Sequence, residues 1–429
     1  PVAVPGAALP ADDRELIARL ARDTWRGLEA LVDREHQLPV DHVHLGATPD
    51  DSRVGDYTNV TTVGLRLIAI VAARELGLLA DADAVQRVAA LLDTLDRLET
   101  HGGFFFNYYD TTSLERTSNL ISFVDSSWLT AGLMVVRTTF PALAARATAV
   151  IARQDYRFFW DEKLQQMSHG YWVHLGARSR FHYGVLYAES RLGSLIAIGK
   201  GDAPPAHWFR MTRTFSPTCT WQTQRPKGRH AKTVDGHRFL GGWYEWGGTR
   251  YVPSWGGSMF EALMPTLVID ERRLAPASLG ANDAAHVAVQ RRFATEALGY
   301  PVWGISPSTI PGTIGYGEYG VRVLGALGYA AGGVTPHATA LALAVDPAAA
   351  IANLRALATR YALYGDFGFY DAVEPRTGTV ARTYLTLDQA MVFIAAANWL
   401  TEGRIQARFA ADPIAMRALP VVAGERFFD

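Results

Sequence analysis

The sequence has one cysteine, Cys219, among 429 residues. A single thiol cannot form an intramolecular disulfide, nor can it build a zinc or iron–sulfur site from several cysteines. Only four residues are lysine, and 41 basic side chains against 42 acidic ones leave a net charge of −1. Binding to nucleic acid or to an anionic membrane normally needs an excess of positive charge. We therefore expect a neutral partner, with no nucleic acid and no membrane.

Long hydrophobic runs are also missing. The longest apolar stretch in a predicted helix, around Leu65 to Ala73, contains Arg66 and is too short to span a bilayer. Hydrophobic residues still make up 49% of the chain, which is enough for a large core. No Pro/Ser-rich linker or charge block divides the sequence, so residues 1–429 are expected to form one domain and a monomer.

Residues 1–11 are interpreted as a flexible leader. If a signal was removed before Pro1, a periplasmic or extracellular location is expected, and otherwise a cytoplasmic one. The sequence leaves the compartment open.

Helical periodicity dominates the rest of the chain and predicts about eleven helices. They cover approximately residues 12–32, 61–78, 82–99, 126–139, 141–153, 183–198, 257–268, 283–298, 335–344, 347–361 and 387–401. The stretch 214–256 alternates in part and predicts a β-hairpin insertion. Eleven or twelve helices arranged in pairs would close into a toroid of six hairpins. The predicted fold is therefore all-α, an (α/α)6 barrel.

Several familiar motifs are incomplete or missing, so the functions they would indicate are not expected. Gly315 to Gly320 matches G-x-G-x-x-G, but no βαβ unit surrounds it, so a dinucleotide site is not expected. His42 and His44 beside Asp41 resemble metal ligands, yet no third or fourth ligand is evident, so a loop is favoured. Because G-x-S-x-G and P-loop motifs are also missing, serine nucleophile chemistry and nucleotide hydrolysis are not expected.

Carboxylates set among aromatic residues are the clearest chemical feature. Sugar rings stack on Trp and Tyr while their hydroxyls need charged or amide partners. Hydrolysis of a glycosidic bond also needs one carboxylic acid with a raised pKa and one carboxylate as base or nucleophile. The candidate acids are Asp110, Asp125, Glu189, Glu261, Glu318 and Asp371.

Four of these acids also have a structural alternative. Asp110 before two threonines fits an Asx turn, and Asp125 fits a helix cap. Glu189, predicted within a helix beside Arg191, fits an ion pair. Glu261 fits a residue that complements a helix dipole. Spacing alone does not separate these alternatives.

The order of the segments resembles the glucoamylase-like family that includes bacterial endo-β-1,2-glucanases and a domain of cyclic β-1,2-glucan synthases. The resemblance covers most of the chain after the first fifty residues. It rests on segments beginning at Tyr57, Gly103, Phe123, Tyr187, Ile198, His207, Ser254, Pro301, Pro336, Gly368 and Asp388.

This resemblance implies an (α/α)6 barrel with a β-glucan cleft and no metal or cofactor. It also implies that Glu189 is the catalytic acid and Asp371 the base. With it we predict a glycoside hydrolase that cleaves a β-linked glucan, with β-1,2-glucan favoured. The predicted substrate contacts are Tyr109, Asp110, Asp125, Arg191, Trp255, Glu261, Trp303 and Glu318.

Three other functions remain open at this point. One is a transglycosylase or a hydrolase of another linkage on the same barrel. Another is a non-catalytic glycan-binding protein, whose acids would only hydrogen-bond sugar hydroxyls. The last is a lyase acting on a uronate, although the near-neutral charge counts against an acidic substrate.

Overall fold

The computed structural model describes residues 9–429, and this part of the chain is mostly helical. Its α-helices are α1 Asp13–Ala30, α2 Val60–Glu75, α3 Asp81–Arg97, α4 Phe123–Thr139, α5 Ala144–Arg153, α6 Arg191–Lys200, α7 Ala206–Arg210, α8 Met259–Leu263, α9 Glu271–Leu274, α10 Leu279–Arg292, α11 Pro336–Leu341, α12 Pro347–Arg360, α13 Thr386–Leu400, α14 Arg404–Ala410, α15 Pro413–Ala418 and α16 Pro420–Ala423. In residues 9–429 no helix is at once long enough and apolar enough to cross a membrane.

The β-strands are short and lie in the connections between helices. They are His42–His44, Arg53–Gly55, Tyr57–Asn59, Thr100–His101, Phe104–Phe105, Tyr108–Asp110, Leu120–Ser122, Trp160–Asp161, Gln166–Met167, Gly170–Trp172, Ala177–Arg178, His230–Val234, His237–Gly241, Tyr244–Trp246, Thr249–Tyr251, Ser308–Thr309, Tyr316–Gly317, Tyr364–Gly365, Gly368–Phe369, Ala372–Val373, Val380–Ala381 and Thr383–Leu385. They pair in antiparallel twos and threes, and within residues 9–429 no larger sheet forms.

Two classes of helix can be distinguished by burial. Helices α2, α4, α6, α11 and α13 are buried on nearly every side, as their largely apolar sequences require. Helices α1, α3 and α5 bury only one face. The buried helices therefore form the centre of the molecule and the amphipathic ones cover them.

The buried helices contact one another in sequence order. Helix α2 packs against α4, α4 against α6, α8 against α11, α11 against α13, and α13 returns to α2. Arg191 of α6 reaches α8 by donating a hydrogen bond from Nη2 to the Ala262 carbonyl at 2.6 Å. Helix α8 is also mostly buried. Each of the helices α2, α4, α6, α8, α11 and α13 also packs against an outer helix, namely α3, α5, α15, α10, α12 and α1, respectively.

Two glycines allow the close contact between α2 and α4. A Cβ atom on Gly64 of α2 would lie 2.3 Å from the Trp128 carbonyl oxygen of α4, and one on Gly132 would lie 2.4 Å from the Gly64 oxygen. Real Cβ atoms essentially never come this close to another atom. The backbones of α2 and α4 can therefore touch only because both positions lack a side chain.

Some sequence predictions of local structure are corrected. The helix predicted over 183–198 begins at Arg191, and helices α14 to α16 near the C-terminus were not predicted. The stretch 214–256 holds two hairpins, formed by the strands between His230 and Tyr251. Residues 1–8 of the predicted leader lie outside the described residues. Of the remainder, Pro10 and Ala11 accept hydrogen bonds from Arg355.

Candidate active site

Two cavities meet at Glu189, which lines both of them. Cavity A has a volume of about 460 Å³ and is lined by Asp41, His42, His44, Tyr57, Asn59, Thr61, Tyr108, Asp125, Thr309 and Tyr316, among others. Cavity B has a volume of about 560 Å³, and its lining includes His169, Phe181, Tyr183, Phe215, Trp255, Glu261, Glu318 and Tyr329. Each is large enough to bury much of a small saccharide.

The polar residues come from the amino-terminal ends of the central helices. Asn59 caps α2, Asp125 lies in the first turn of α4, and Glu261 is the third residue of α8. Glu189 lies in the turn just before α6. Side-chain caps begin α2, α4, α8 and α11, and the contacts between these buried helices bring their beginnings together. Helix amino termini carry partial positive charge, so this end of the helices favours acidic side chains.

Glu189 is held in a tight turn. The Arg191 N–H donates to the Ala188 carbonyl at 3.1 Å, and the Leu192 N–H donates to the Glu189 carbonyl at 3.3 Å. Burial, and secondarily the negative charge of Glu261, raise the pKa of Glu189 to about 8. A carboxyl with this pKa is protonated at neutral pH. Glu189 can therefore donate a proton to a substrate oxygen that lies in either cavity.

Arg191 is fully buried and lines neither cavity, which corrects its prediction as a binding residue. The side chain is fully buried and forms a bidentate ion pair with Glu271, with N···O distances of 2.7 and 2.8 Å. Its Nη1 donates to the carbonyls of Ala188 and Glu261. Because all its donors are used in this way, Arg191 fixes the turn that carries Glu189.

Asp125 lines cavity A and is held by two hydroxyls. Thr61 Oγ1 donates to Asp125 Oδ1 at 2.7 Å, and Ser122 Oγ donates to Oδ2. The Asp125 N–H in turn donates to Ser122 Oγ, so Ser122 is the cap of α4 and the capping alternative for Asp125 is wrong. The Asp125 carboxylate is instead a group at the cavity wall.

The opposite wall of cavity A carries groups that the sequence analysis did not select. Asp41 Oδ2 lies 2.8 Å from His42 Nδ1, and the His42 and His44 rings are 4.4 Å apart. The ring of Tyr57 packs against that of His42. The alternation His42-Val43-His44 places both rings on one face of a strand. That alternation predicts two imidazole rings on the same side of the strand, whether or not they bind a metal.

Aromatic side chains make up a larger share of the lining of cavity B than of cavity A. Trp255 is 37% exposed, and its ring lies 5.5 Å from that of Trp221. Glu318 is exposed at the wall of the cavity. Glu261 accepts hydrogen bonds from Ser254 Oγ and from the N–H groups of Gly256 and Ser258, while burial raises its pKa. Aromatic faces next to carboxylates are suited to binding a sugar chain.

Asp371 lies behind the wall of cavity A and is 1% exposed. Its Oδ2 accepts a hydrogen bond of 2.6 Å from the N–H of Thr309, which does line the cavity. Burial and the neighbouring Asp388 raise the pKa of Asp371 well above its usual value. Its role as base stays a prediction, because its neighbour Thr309 lines cavity A while the Asp371 carboxyl itself is not exposed there.

Three further predicted contacts are corrected. The Tyr109 hydroxyl is buried, donates to the Glu99 carbonyl at 2.6 Å and accepts from the Phe106 N–H. Asp110 Oδ1 accepts from Thr112 and Ser113, which is the Asx turn. Trp303 is 4% exposed, and its backbone is bound by Asn353. In strand 108–110 the alternation points Tyr108, not Tyr109, into cavity A.

The adjacent tyrosines provide a matched pair for testing this assignment. Tyr108→Phe should raise KM for the substrate about fivefold with little change in stability, because it removes one hydroxyl from the cavity. Tyr109→Phe should leave KM unchanged and destabilise the protein by about 1 to 3 kcal/mol, because it leaves buried backbone groups unpaired. Steady-state kinetics and urea unfolding of both variants measure these effects. The reverse pattern would contradict the placement of the two side chains.

Two known families match different parts of the chain. The family described as "Putative glucoamylase" matches residues 217–413, and a second, described as "Protein of unknown function (DUF3131)", matches residues 19–192. The cyclic beta-(1,2)-glucan synthase NdvB of Rhizobium meliloti is 31% identical over 319 residues. The predicted resemblance to the glucoamylase-like family is confirmed. The NdvB match covers 68% of this chain and 10% of the relative, so the chain spans about a tenth of that relative's length.

Solved structures share the fold of this glucoamylase-like chain. An endo-β-1,2-glucanase from Chitinophaga pinensis, in complex with sophorotriose and glucose, is 16% identical with a TM-score of 0.73. That match covers 97% of this chain and 99% of the other. A β-1,2-glucanase from Parabacteroides distasonis is 15% identical with a TM-score of 0.76, covering 97% of this chain and 61% of the other. At these identities the structures establish the shared fold.

Proposed function

We propose that this protein is a glycoside hydrolase that cleaves β-1,2-glucan. The observation that carries the proposal is Glu189, an acid whose pKa is raised to about 8, at the junction of two saccharide-sized cavities. The glucanases of the same fold and the glucan synthase relative support the choice of linkage. The substrate is a neutral oligo- or polysaccharide, in agreement with the net charge of −1.

The proposed scaffold is an (α/α)6 barrel within one domain. Its inner ring would consist of α2, α4, α6, α8, α11 and α13, and each would pair with one outer helix. The contacts between successive inner helices support this arrangement, as does their burial. The substrate would bind at the end of the ring where the inner helices begin.

In the proposed mechanism, Glu189 protonates the leaving oxygen, either directly or through a substrate hydroxyl. Asp371 is the proposed base for the attacking water; because it lies behind Thr309 at the wall of cavity A, this wall must open for water to reach its carboxylate. Asp125 binds sugar hydroxyls in cavity A, and Trp255 with Glu318 supports the chain in cavity B. A water attacking from the side opposite the leaving group inverts the anomeric carbon.

Transglycosylation is the second candidate. It is favoured by one observation: the glucan synthase relative is 31% identical, whereas the two glucanase structures are 16% and 15% identical. A transglycosylase would transfer the cleaved chain to a sugar hydroxyl instead of water. Its products would include longer or cyclic chains as well as shorter ones.

The test is product analysis with linear β-1,2-glucan, compared with β-1,3-, β-1,6- and α-1,4-glucans and a polyuronate. Cleavage confined to β-1,2-glucan, with new reducing ends, is the expected result. Products that are longer or cyclic would support the transglycosylase, and an unsaturated product from the polyuronate would identify a lyase. Saturable binding without any product would leave a glycan-binding protein.

The activity should fall as pH rises above about 8. The proposed acid must carry its proton, and burial raises the pKa of Glu189 to about 8, so alkaline pH removes the active form. The measurement is kcat/KM for β-1,2-glucan against pH in buffers of constant ionic strength. If kcat/KM instead fell as pH rose through the ordinary glutamate pKa, the result would contradict the role of Glu189.

A further inference from the structure

A third cavity lies beside cavity B and is lined by arginines. Cavity C has a volume of about 530 Å³, and its lining includes Arg210, Thr212, Phe215, Ser216, Arg229 and Arg238. Within residues 9–429 no Asp or Glu side chain lines it. Cavity C therefore combines three positive charges with hydroxyl groups and holds no carboxylate that would neutralise them.

The three arginines come from separate elements of the chain. Arg210 is the last residue of α7, Arg229 directly precedes the hairpin 230–241, and Arg238 lies in the second strand of that hairpin. Alternation along this strand exposes Arg238 and buries Phe239. The hairpin thus places Arg238 on an open face that borders cavity C.

These arginines have no acidic partner. Arg210 Nε donates to the amide oxygen of Gln165 at 2.6 Å, and in the described part of the chain none of the three arginines forms an ion pair. Arg213, their buried neighbour, differs because both carboxylate oxygens of Glu425 bind it. Residues 210–250 hold eight basic and two acidic side chains, so the near-zero charge of the whole sequence conceals a positive surface here. Guanidinium groups held together without a counter-charge favour an anion between them.

A row of aromatic rings connects cavity C to the candidate active site. The ring centre of Trp255 at cavity B lies 5.5 Å from that of Trp221, which lies 4.9 Å from that of Phe215. Phe215 and Thr212 line both cavity B and cavity C. Trp221 is 43% exposed, so its ring is open to a ligand. A sugar chain that leaves cavity B along these rings therefore reaches the arginines of cavity C.

We propose that cavity C binds an oxyanion, of the phosphate or sulfate ester class, carried on the glucan chain that cavity B holds. The planar guanidinium groups offer paired N–H donors that match two oxygens of such a group, and the Thr212 hydroxyl supplies a further donor. The sugar rings in cavities A and B stay neutral, so the anion is a substituent and not part of the cleaved bond. This inference rests on the proposed function for the identity of the chain, while the anion site itself can be tested without it.

Binding of a small phosphorylated sugar gives the first test and needs no activity. Glucose 6-phosphate should bind about tenfold more tightly than glucose at low ionic strength, and added NaCl should remove the difference. The double variant Arg229→Gln with Arg238→Gln should lose this tenfold preference and keep its affinity for glucose. Isothermal titration calorimetry is the measurement.

A matched control removes the same charge elsewhere. Arg97 and Arg360 are exposed, lie in the last turns of α3 and α12, and line none of the three cavities. The double variant Arg97→Gln with Arg360→Gln should bind glucose 6-phosphate like the unchanged protein. Glucose 6-phosphate binding that is the same in both double variants would overturn the proposal.

The same measurement separates the sources of the anion. Inorganic phosphate should bind more weakly than glucose 6-phosphate, because it lacks a sugar ring to pack on Trp221 and Phe215. Equal affinities would show that cavity C takes a free anion, and would overturn the link to the chain. Binding to phosphatidylglycerol vesicles that is lost in the variant of Arg229 and Arg238 would assign these arginines to a membrane surface and would also overturn the proposal.

Kinetics with a modified polymer provide the second test. Linear β-1,2-glucan with sulfate esters on a few of its hydroxyls should have a KM about fivefold lower than the unmodified polymer. The variant of Arg229 and Arg238 should lose this difference, while its kcat and its KM for unmodified glucan stay within about twofold. Equal KM values for both polymers in the unchanged protein would overturn the proposal. If neither polymer is cleaved but glucose 6-phosphate binding still depends on Arg229 and Arg238, the proposed function fails and the anion site stands.

Discussion

Glu189→Gln is expected to lower kcat on β-1,2-glucan by about a hundred- to ten-thousand-fold, the usual contribution of a general acid. Glutamine keeps the shape of the side chain but cannot donate a carboxyl proton to the leaving oxygen. Steady-state kinetics should show a loss in kcat, with KM changed little. Glu115→Gln, at an exposed position outside both cavities, is the matched control and should keep full activity.

The same variant should be at least as stable as the unchanged protein at alkaline pH. The pKa of Glu189 is about 8 in the folded state and near 4.5 when unfolded, so between these values the folded state binds the extra proton. The free energy of unfolding therefore falls as pH rises through this range, and glutamine removes that loss. Urea unfolding at pH 5 and pH 8 measures the difference. Full activity together with unchanged pH dependence of stability would remove Glu189 from the mechanism.

Arg191→Leu is expected to destabilise the protein by about 3 to 5 kcal/mol, since it leaves a buried carboxylate without its partner. Glu271 is 1% exposed, and Arg191 is the cation that pairs with both of its oxygens. The change also frees the carbonyls of Ala188 and Ala262, which Arg191 binds. Urea unfolding is the measurement.

Two further variants control for this effect. The double variant Arg191→Leu with Glu271→Leu should recover part of the lost stability, because it leaves no unpaired charge. Arg157→Leu breaks an exposed pair with Asp155 and should leave stability nearly unchanged, because solvent screens that pair. If Arg191→Leu were as mild as Arg157→Leu, the buried pair would not hold the turn before α6.

Most long helices could be predicted from the sequence because their apolar residues recur with helical spacing. The pattern failed where a local motif competes with periodicity. Residues 183–190 look helical, yet Ser190 precedes α6 and the chain before it forms a loop that lines cavity B. The short helices α14 to α16 are broken by Asp412-Pro413 and by Pro420, which divide a pattern too brief to detect.

Part of the candidate site could be predicted, because a site that cleaves sugar chains needs carboxylates close to aromatic residues. Asp125, Glu189, Trp255, Glu261 and Glu318 do line the cavities. Composition cannot distinguish a tyrosine that faces a cavity from its neighbour that faces the core, so Tyr109 was chosen instead of Tyr108. Asp41 lines cavity A next to the strand 42–44, which pairs with the strand 383–385. The two strands are more than three hundred residues apart in the sequence. No local pattern encodes that contact.

The contact between α2 and α13 has a consequence for biosynthesis. Residues 60–75 leave the ribosome long before residues 386–400, yet each helix is apolar on almost every side and covers the other. Helix α4 can cover part of α2 early, but the face of α2 that α13 covers has to wait for residues 386–400. Folding that waits for such distant partners is slow, and the waiting chain is prone to aggregate. Chaperones that shield hydrophobic segments would protect this face until α13 has been made.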